Sequence, residues 1–116
     1  MIFICYPKCG TCKKAAAYLT AKNAEYTVRN IKDDNPTAEE IKKWQEKSGL
    51  PLKRFFNTSG LKYRELNLKD RLKTMSEDEQ LNLLATDGML VKRPILAAGE
   101  RVLVGFKEKE WDELFN

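Results

Sequence analysis

Hydrophobic and polar positions change period repeatedly along this chain of 116 residues, and each change marks an element. Ile2-Phe3-Ile4-Cys5-Tyr6 is a continuous apolar run that Pro7 stops, which predicts a buried strand. From Lys13 onward Ala15, Ala16, Tyr18 and Leu19 recur at helical spacing, and Lys22-Asn23-Ala24 closes that helix. Tyr26 to Asn30 predicts a second strand. A charged turn follows, Lys32-Asp33-Asp34-Asn35-Pro36. Thr37 with Glu40 three residues on then predicts a capping box, for a helix carrying Ile41, Trp44 and Gln45 and ending at Ser48-Gly49. From Leu50 to about Asp87 the signals stay helical but are interrupted at Pro51, at Asn57-Thr58-Ser59-Gly60 and at Met75-Ser76. Ser76 with Glu79 is a second capping box, and Leu81, Leu83 and Leu84 supply that helix's apolar side. Ile95-Leu96-Ala97 and Val102-Leu103-Val104 predict a hairpin around Ala98-Gly99-Glu100-Arg101. A last amphipathic helix, from about Lys107, presents Trp111, Leu114 and Phe115.

The order is strand, helix, strand, a helical block, a strand hairpin and a closing helix. Without the block, what remains is similar to the thioredoxin-like arrangement. The expected fold class is therefore α/β, a thioredoxin-like (glutaredoxin-like) mixed sheet with an inserted helical subdomain. One domain should span 1–116, with its core at about 1–31 and 89–116 and the insertion at about 32–88. Lys92-Arg93-Pro94-Ile95 supports this arrangement. A proline at the start of a strand donates nothing to a ladder and belongs at an end or a special turn. In thioredoxin-like folds that place holds a cis-proline facing the redox motif, and Pro94 fits it.

Composition narrows the chemistry. Lys and Arg exceed Asp and Glu by 21 to 17, a net +4 with the signs interspersed, which gives little reason to expect direct nucleic-acid binding. No apolar stretch approaches a membrane span or a signal segment, so no membrane partner is expected and the compartment should be the cytoplasm. Three cysteines, an odd number, argue against a disulfide framework. The absence of histidine removes Ser-His and Cys-His catalysis and mixed zinc sites. With only Cys5 beyond the pair at Cys9 and Cys12, a closed tetrahedral metal site is not expected either.

The pair itself, Cys9-Gly10-Thr11-Cys12, sits where the first strand gives way to the first helix. A thiol there faces unpaired backbone N–H groups and the positive end of a helix dipole, which favours the thiolate, the reactive species. Cys9 would occupy the N-cap region as nucleophile, and Cys12, one turn in, would resolve the intermediate. Lowering a thiol pKa from about 8.5 to about 6 takes roughly 3.4 kcal/mol. A helix terminus supplies at most ~2 kcal/mol. Backbone hydrogen bonds and a cation must add the rest, with Lys8, Lys13 and Arg93 as candidates and Arg93 favoured. Cys5, Trp44, Trp111, Phe55 and Phe56 read as core.

Four stretches together resemble the arsenate reductase family in its broad sense, which includes the Spx-like transcription regulators. They are Tyr6-Pro7-Lys8-Cys9-Gly10-Thr11-Cys12-Lys13-Lys14-Ala15, Phe55-Phe56-Asn57-Thr58-Ser59-Gly60, Leu90-Val91-Lys92-Arg93-Pro94-Ile95 and Val104-Gly105-Phe106. The resemblance implies a nucleophile at Cys9, no bound cofactor, and glutathione, another small thiol or a glutaredoxin-type protein as reductant. It places Lys8, Gly10, Thr11, Pro94, Asn57 and Lys107 around the substrate. Glutaredoxin-coupled arsenate reductases hold their oxyanion with three arginines. Arg93 matches one, whereas Asn57 and Phe106 stand in the other two places, with Lys107 beside Phe106. Guanidinium forks are not replaced by such groups, so arsenate reduction is expected to be poor. Cys12 is shared with the Spx-like regulators, which bind the α subunit of RNA polymerase and as a rule run on beyond the last core helix, whereas this sequence ends at Asn116. Two functions stay open: a thiol–disulfide oxidoreductase, and a redox-sensing regulator of polymerase.

Overall fold

The computed structural model describes residues 1–115. Its centre is β1 (Ile2–Cys5), a four-residue strand with neighbours on both sides. Parallel to β1 lies β2 (Thr27–Asn30), with Ile4 opposite Arg29. On its other side β3 (Ile95–Ala98) runs antiparallel, with Ile4 opposite Ile95, and β4 (Arg101–Val104) pairs antiparallel with β3. The sheet order β2-β1-β3-β4 makes it mixed. The parallel pair needs a crossover, and α1 (Gly10–Ala21) supplies it. The hairpin needs only the turn at Gly99-Glu100. The expected strands and helices are all present, with boundaries moved by a residue or two, and the fold is thioredoxin-like with an inserted helical subdomain.

Period-two alternation divides the core between the two sheet faces. Phe3, Cys5 and Leu96 point to the side covered by α1 and α6 (Glu108–Phe115), where Ala15, Tyr18, Leu19 and Trp111 meet them. Ile4, Ile95, Val102 and Val104 point to the opposite side. There α2 (Ala38–Ser48), α3 (Leu61–Glu65), α4 (Leu68–Arg71) and α5 (Glu77–Leu84) bring Ile41, Trp44, Leu68, Leu81 and Leu84 over the sheet. Short 3-10 turns at Leu52–Phe55 and Gly88–Leu90 add Leu52, Phe55 and Leu90. No helix among the described residues is long and apolar enough to cross a membrane.

Both capping boxes are formed. Thr37 and Ser76 accept from the N–H groups of Glu40 and Glu79, whose carboxylates accept in return from the N-cap N–H groups. Gly49 ends α2 at φ 70°, a left-handed cap that glycine adopts without steric cost. The helical block leaves and rejoins the core at one point. Gly88 lies so close to Ile31 that a Cβ on it would stand 1.9 Å from the Ile31 carbonyl oxygen.

Arg29 of β2 ties the sheet to the block. Its Nη1 and Nη2 donate to both carboxylate oxygens of Glu40, at 2.6 and 2.9 Å, and its Nε donates to the Asp34 carbonyl at 3.0 Å. The guanidinium also lies 5.9 Å from the Trp44 ring centre. The Arg29 fork outweighs partial burial, and with the Thr37 N–H it lowers the Glu40 pKa from 4.5 to about 2.

Two outcomes follow for stability. A Glu40 pKa depressed on folding contributes stability above pH 4.5, and that contribution is lost as pH falls toward 2. Glu40→Gln keeps an acceptor for the Thr37 N–H but removes the charge, so it should cost on the order of 1 kcal/mol at pH 7 after screening by solvent. Urea denaturation at pH 7 and pH 3 should show the gap between variant and parent narrowing in acid. Gly88→Ala should destabilise by about 3 kcal/mol, the upper range for overpacking, because the atom it meets is backbone. A melting temperature unchanged by Gly88→Ala would contradict the close approach.

Candidate functional site

The chain turns from β1 into α1 through Pro7 and Lys8, and the Cys9 N–H closes that turn on the Tyr6 carbonyl at 2.9 Å. Cys9 is the N-cap of α1, with extended backbone (φ −86°, ψ 125°), and its carbonyl accepts from the Lys13 N–H at 3.1 Å. Acidic residues occupy the first turns of α2 and α5, but none occupies the first turn of α1. The positive end of this helix is therefore left for the sulfur of Cys9.

The two motif thiols are in opposite environments. Cys9 is half-buried and Cys12 only 2% exposed, packed with Ala15, Tyr18 and Leu19. Partial burial would raise the Cys9 pKa. The Cys12 N–H, the Cys12 thiol, the Arg93 guanidinium and the Thr11 N–H together outweigh it, and the net effect is a lowered pKa. Cys9 makes no side-chain cap bond to the first turn of α1. Burial above all pushes Cys12 the other way, up to about 12, helped by the charge on Cys9, the S–H given to it and the charge on Cys5. The Tyr6 N–H donates to the Cys12 sulfur at 3.3 Å and only partly offsets this.

Arg93 precedes Pro94, and the peptide between them is cis, the isomer found at this place in thioredoxin-like folds. Pro94 is buried, and its carbonyl accepts from the Gly105 N–H at 2.8 Å. The Arg93 guanidinium lies 5.4 Å from the Tyr6 ring centre and reaches the Cys9 sulfur. Its Nε and Nη1 are buried and have no hydrogen-bond partner among the described residues. Two charged donors beside a thiolate, shut from water, are costly unless an acceptor arrives.

The other expected residues divide. Gly10 and Thr11 are exposed on the first turn of α1, beside Cys9. Lys8 is exposed and lines a cleft of ≈ 200 Å³ with Tyr6, Pro7, Asn30, Lys32 and Asp33, and Lys13 points to solvent; Arg93 is the cation that acts on Cys9. Asn57 is half-buried. Its N–H donates to the Leu90 carbonyl at 2.8 Å while its amide folds over Gly60. That pairing, with the Lys92 N–H on the Phe55 carbonyl, fixes the approach to Arg93. Phe106 packs edge-on against Trp111 and Tyr18, at 5.0 and 5.5 Å between ring centres. It belongs to the same apolar cluster as Cys9. Lys107 is exposed and caps α6 through its carbonyl, which accepts from Glu110 and Trp111.

One site member was not anticipated from the sequence. Cys5 is buried, as expected, but its thiol also meets that of Cys12. Strand alternation was the available signal. If Ile4 faces the helical block, Cys5 must face α1.

Comparison with known proteins agrees with this geometry. A protein of Bacillus subtilis (strain 168) named YusI and described as uncharacterized is 58% identical over 113 residues, covering 97% of this chain and 96% of that one. The regulatory protein MgsR of the same organism is 28% identical over 110 residues, covering 95% and 86%. A crystal structure from Bacteroides fragilis, described as ArsC family related, superposes with a TM-score of 0.95 at 57% identity, covering 97% and 95%. The ArsC family model matches residues 5–114, from the end of β1 to the last turn of α6, and the chain belongs to that family.

Proposed function

We propose that this protein is a thiol–disulfide oxidoreductase in which Cys9 is the nucleophile and Cys12 the resolving thiol. The observation that carries the reading is the opposed placement of the two sulfurs, Cys9 half-buried at the N-cap of α1 and Cys12 buried one turn below it, which lowers the pKa of the first and raises that of the second to about 12. The Cys9 thiolate attacks one sulfur of a small disulfide, forming a mixed disulfide and releasing a thiolate. Cys12 then attacks the Cys9 sulfur; its proton goes to the departing thiolate, and a Cys9–Cys12 disulfide remains. Glutathione, another small thiol or a glutaredoxin-type protein reduces that bond. No bound cofactor is needed. The raised Cys12 pKa keeps the second thiol protonated until Cys9 has reacted, and exchange rates rise when the leaving sulfur forms a stable thiolate. Arg93 stabilises that thiolate, or an acidic group of the substrate, with its two unpaired donors. Gly10, Thr11 and Pro94 border the sulfur, and Lys8 and Lys107 contribute charge at longer range. We place this chemistry in the cytoplasm, where thiol reductants are abundant.

Arsenate is a poor substrate in this reading. Arg93 is the one guanidinium at the sulfur, Asn57 folds over Gly60, and Phe106 closes an aromatic cluster. A tetrahedral oxyanion would lose charge-assisted bonds worth about 1.5–3 kcal/mol each. A second reading draws on the likeness to the regulatory protein MgsR. Under it, the same pair senses oxidation and alters contact with the α subunit of RNA polymerase. Stoichiometric capture of polymerase by the immobilised chain would favour the regulator; reduction of a small disulfide that depends on Cys9 favours the enzyme.

Iodoacetamide alkylation against pH in single-cysteine variants, the other two thiols replaced by serine, should place the Cys9 midpoint below the ~8.5 of a free thiol. Cys12 should stay unreactive to far higher pH. Arg93→Ala should raise the Cys9 midpoint and slow disulfide reduction by roughly 10- to 100-fold, the loss of one charge-assisted bond. Earlier ionisation of Cys12 would reverse the assigned roles.

In a glutaredoxin-coupled assay the unmodified chain should turn over little arsenate, while Cys9→Ser abolishes small-disulfide reduction. Asn57→Arg with Phe106→Arg should raise the arsenate rate, measured beside a thermal melt because Phe106 is packed on Trp111. Brisk arsenate turnover by the parent, lost in Arg93→Ala, would contradict the substrate assignment.

A further inference from the structure

Cys5 has no part in the chemistry just described, yet it is built into the same cluster. It is the last residue of β1, and alternation turns it to the α1 face, where it packs with Cys12, Ala15 and Leu19. The next residue, Tyr6, donates its N–H to the Cys12 sulfur at 3.3 Å. That bond pins the Cys12 sulfur at the end of β1, in the buried cluster that Cys5 shares. Cys9 packs against the same buried cluster from above. Cys9 stands one turn above Cys12 at the N-cap of α1, and Cys5 faces Cys12 from the end of β1, so Cys12 lies between the other two.

That order is what thiol–disulfide exchange requires, since the attacking and leaving sulfurs must flank the sulfur under attack. A metal reading of the cluster does not hold. No group of three or more His, Cys, Asp or Glu among the described residues is arranged to bind an ion. Burial to 5% exposure shields Cys5 from outside reagents, so its accessible partner is Cys12.

We propose that Cys5 is a third member of the redox site, which takes Cys12 over from Cys9 once the Cys9–Cys12 disulfide has formed. This inference rests on the dithiol reading above. The Cys5 sulfur attacks the Cys12 sulfur, and its proton passes to the departing Cys9 sulfur, which is half-buried and releases it to solvent. The Cys5–Cys12 bond forms, the Cys9–Cys12 bond breaks, and Cys9 leaves as the thiolate. The step is an isomerisation with no net oxidation. Exchange favours the leaving group with the lower pKa, and the lowered Cys9 pKa gives it that role while burial holds Cys5 and Cys12 high. The consequence is a nucleophile restored while the chain stays oxidised. Cys9 can then attack a second small disulfide such as glutathione disulfide, forming a mixed disulfide and releasing one thiolate.

The test is intact-mass and peptide mapping after acid quench, with diamide and then excess glutathione disulfide as probes. In the parent chain the Cys9–Cys12 linkage should appear first and decay into Cys5–Cys12, ending as one internal disulfide plus one glutathione on Cys9. Cys5→Ser should stop at Cys9–Cys12, with loss of that glutathionylated, internally bonded species. Cys9→Ser, which removes the first step, should leave Cys5 and Cys12 as free thiols under diamide, because both are buried. A parent chain that holds Cys9–Cys12 indefinitely, with Cys5 alkylated only after unfolding, would overturn the relay and leave the dithiol reading intact. Formation of Cys5–Cys12 in Cys9→Ser, with no Cys9–Cys12 in the parent at any time, would overturn the dithiol reading and the relay with it.

Discussion

Phe3 and Cys5 point from one side of β1 and Ile4 from the other, and both sides are buried. A strand with helices on each face cannot slip by one residue without exchanging its two sets of side chains between two different cores. That constraint sets where β1 ends, and with it the height at which Pro7 turns the chain into α1. Cys9 then falls at the N-cap and Cys12 one turn lower, against the sheet. Placing Cys9 in the field of the helix end while immersing Cys12 in apolar side chains is thus a consequence of strand register. The same register brings the Tyr6 N–H onto the Cys12 sulfur.

Electrostatics then acts on what packing has placed. Glutamates occupy the first turns of α2 and α5, where they complete the caps and neutralise the dipole. α1 carries none there, so its N-terminal field falls on the sulfur of its N-cap, Cys9. Arg93 adds a charge whose Nε and Nη1 find no acceptor among the described residues, an unusual state for a buried guanidinium. Phe106 is held by Trp111 and Tyr18 at the edge of the apolar cluster that Cys9 also borders.

Much of this was legible in the residues, for identifiable reasons. Capping boxes depend on two side chains three apart, and both were found where Thr37-Glu40 and Ser76-Glu79 predicted them. The order of strands and helices followed from changes of period. Pro94 marked the loop opposite the motif, although isomer state is a tertiary outcome that no local pattern encodes. The broken helical stretch was harder. α3 and α4 are single turns held by Tyr63, Leu66 and Leu68 against a core assembled from distant segments, and periodicity over five residues carries little information. Preference for Arg93 over Lys8 and Lys13 could be guessed, but the direction of a flexible lysine depends on solvent and not on sequence. Cys5 was read as core because a cysteine in a strand usually is; its meeting with Cys12 needed the packing of α1 on β1.

The contact between Gly88 and the Ile31 carbonyl has an evolutionary meaning. A segment whose two ends touch is, to the rest of the chain, a loop, and the closure entropy of a loop grows only slowly with its length. Relatives could therefore lengthen, shorten or re-sort α3 and α4 without disturbing the strands that position Cys9. Wholesale loss is another matter, because Ile4, Ile95, Val102 and Val104 would then face water. Variation in this lineage should thus concentrate within the block, while the neck itself admits almost no side chain larger than hydrogen.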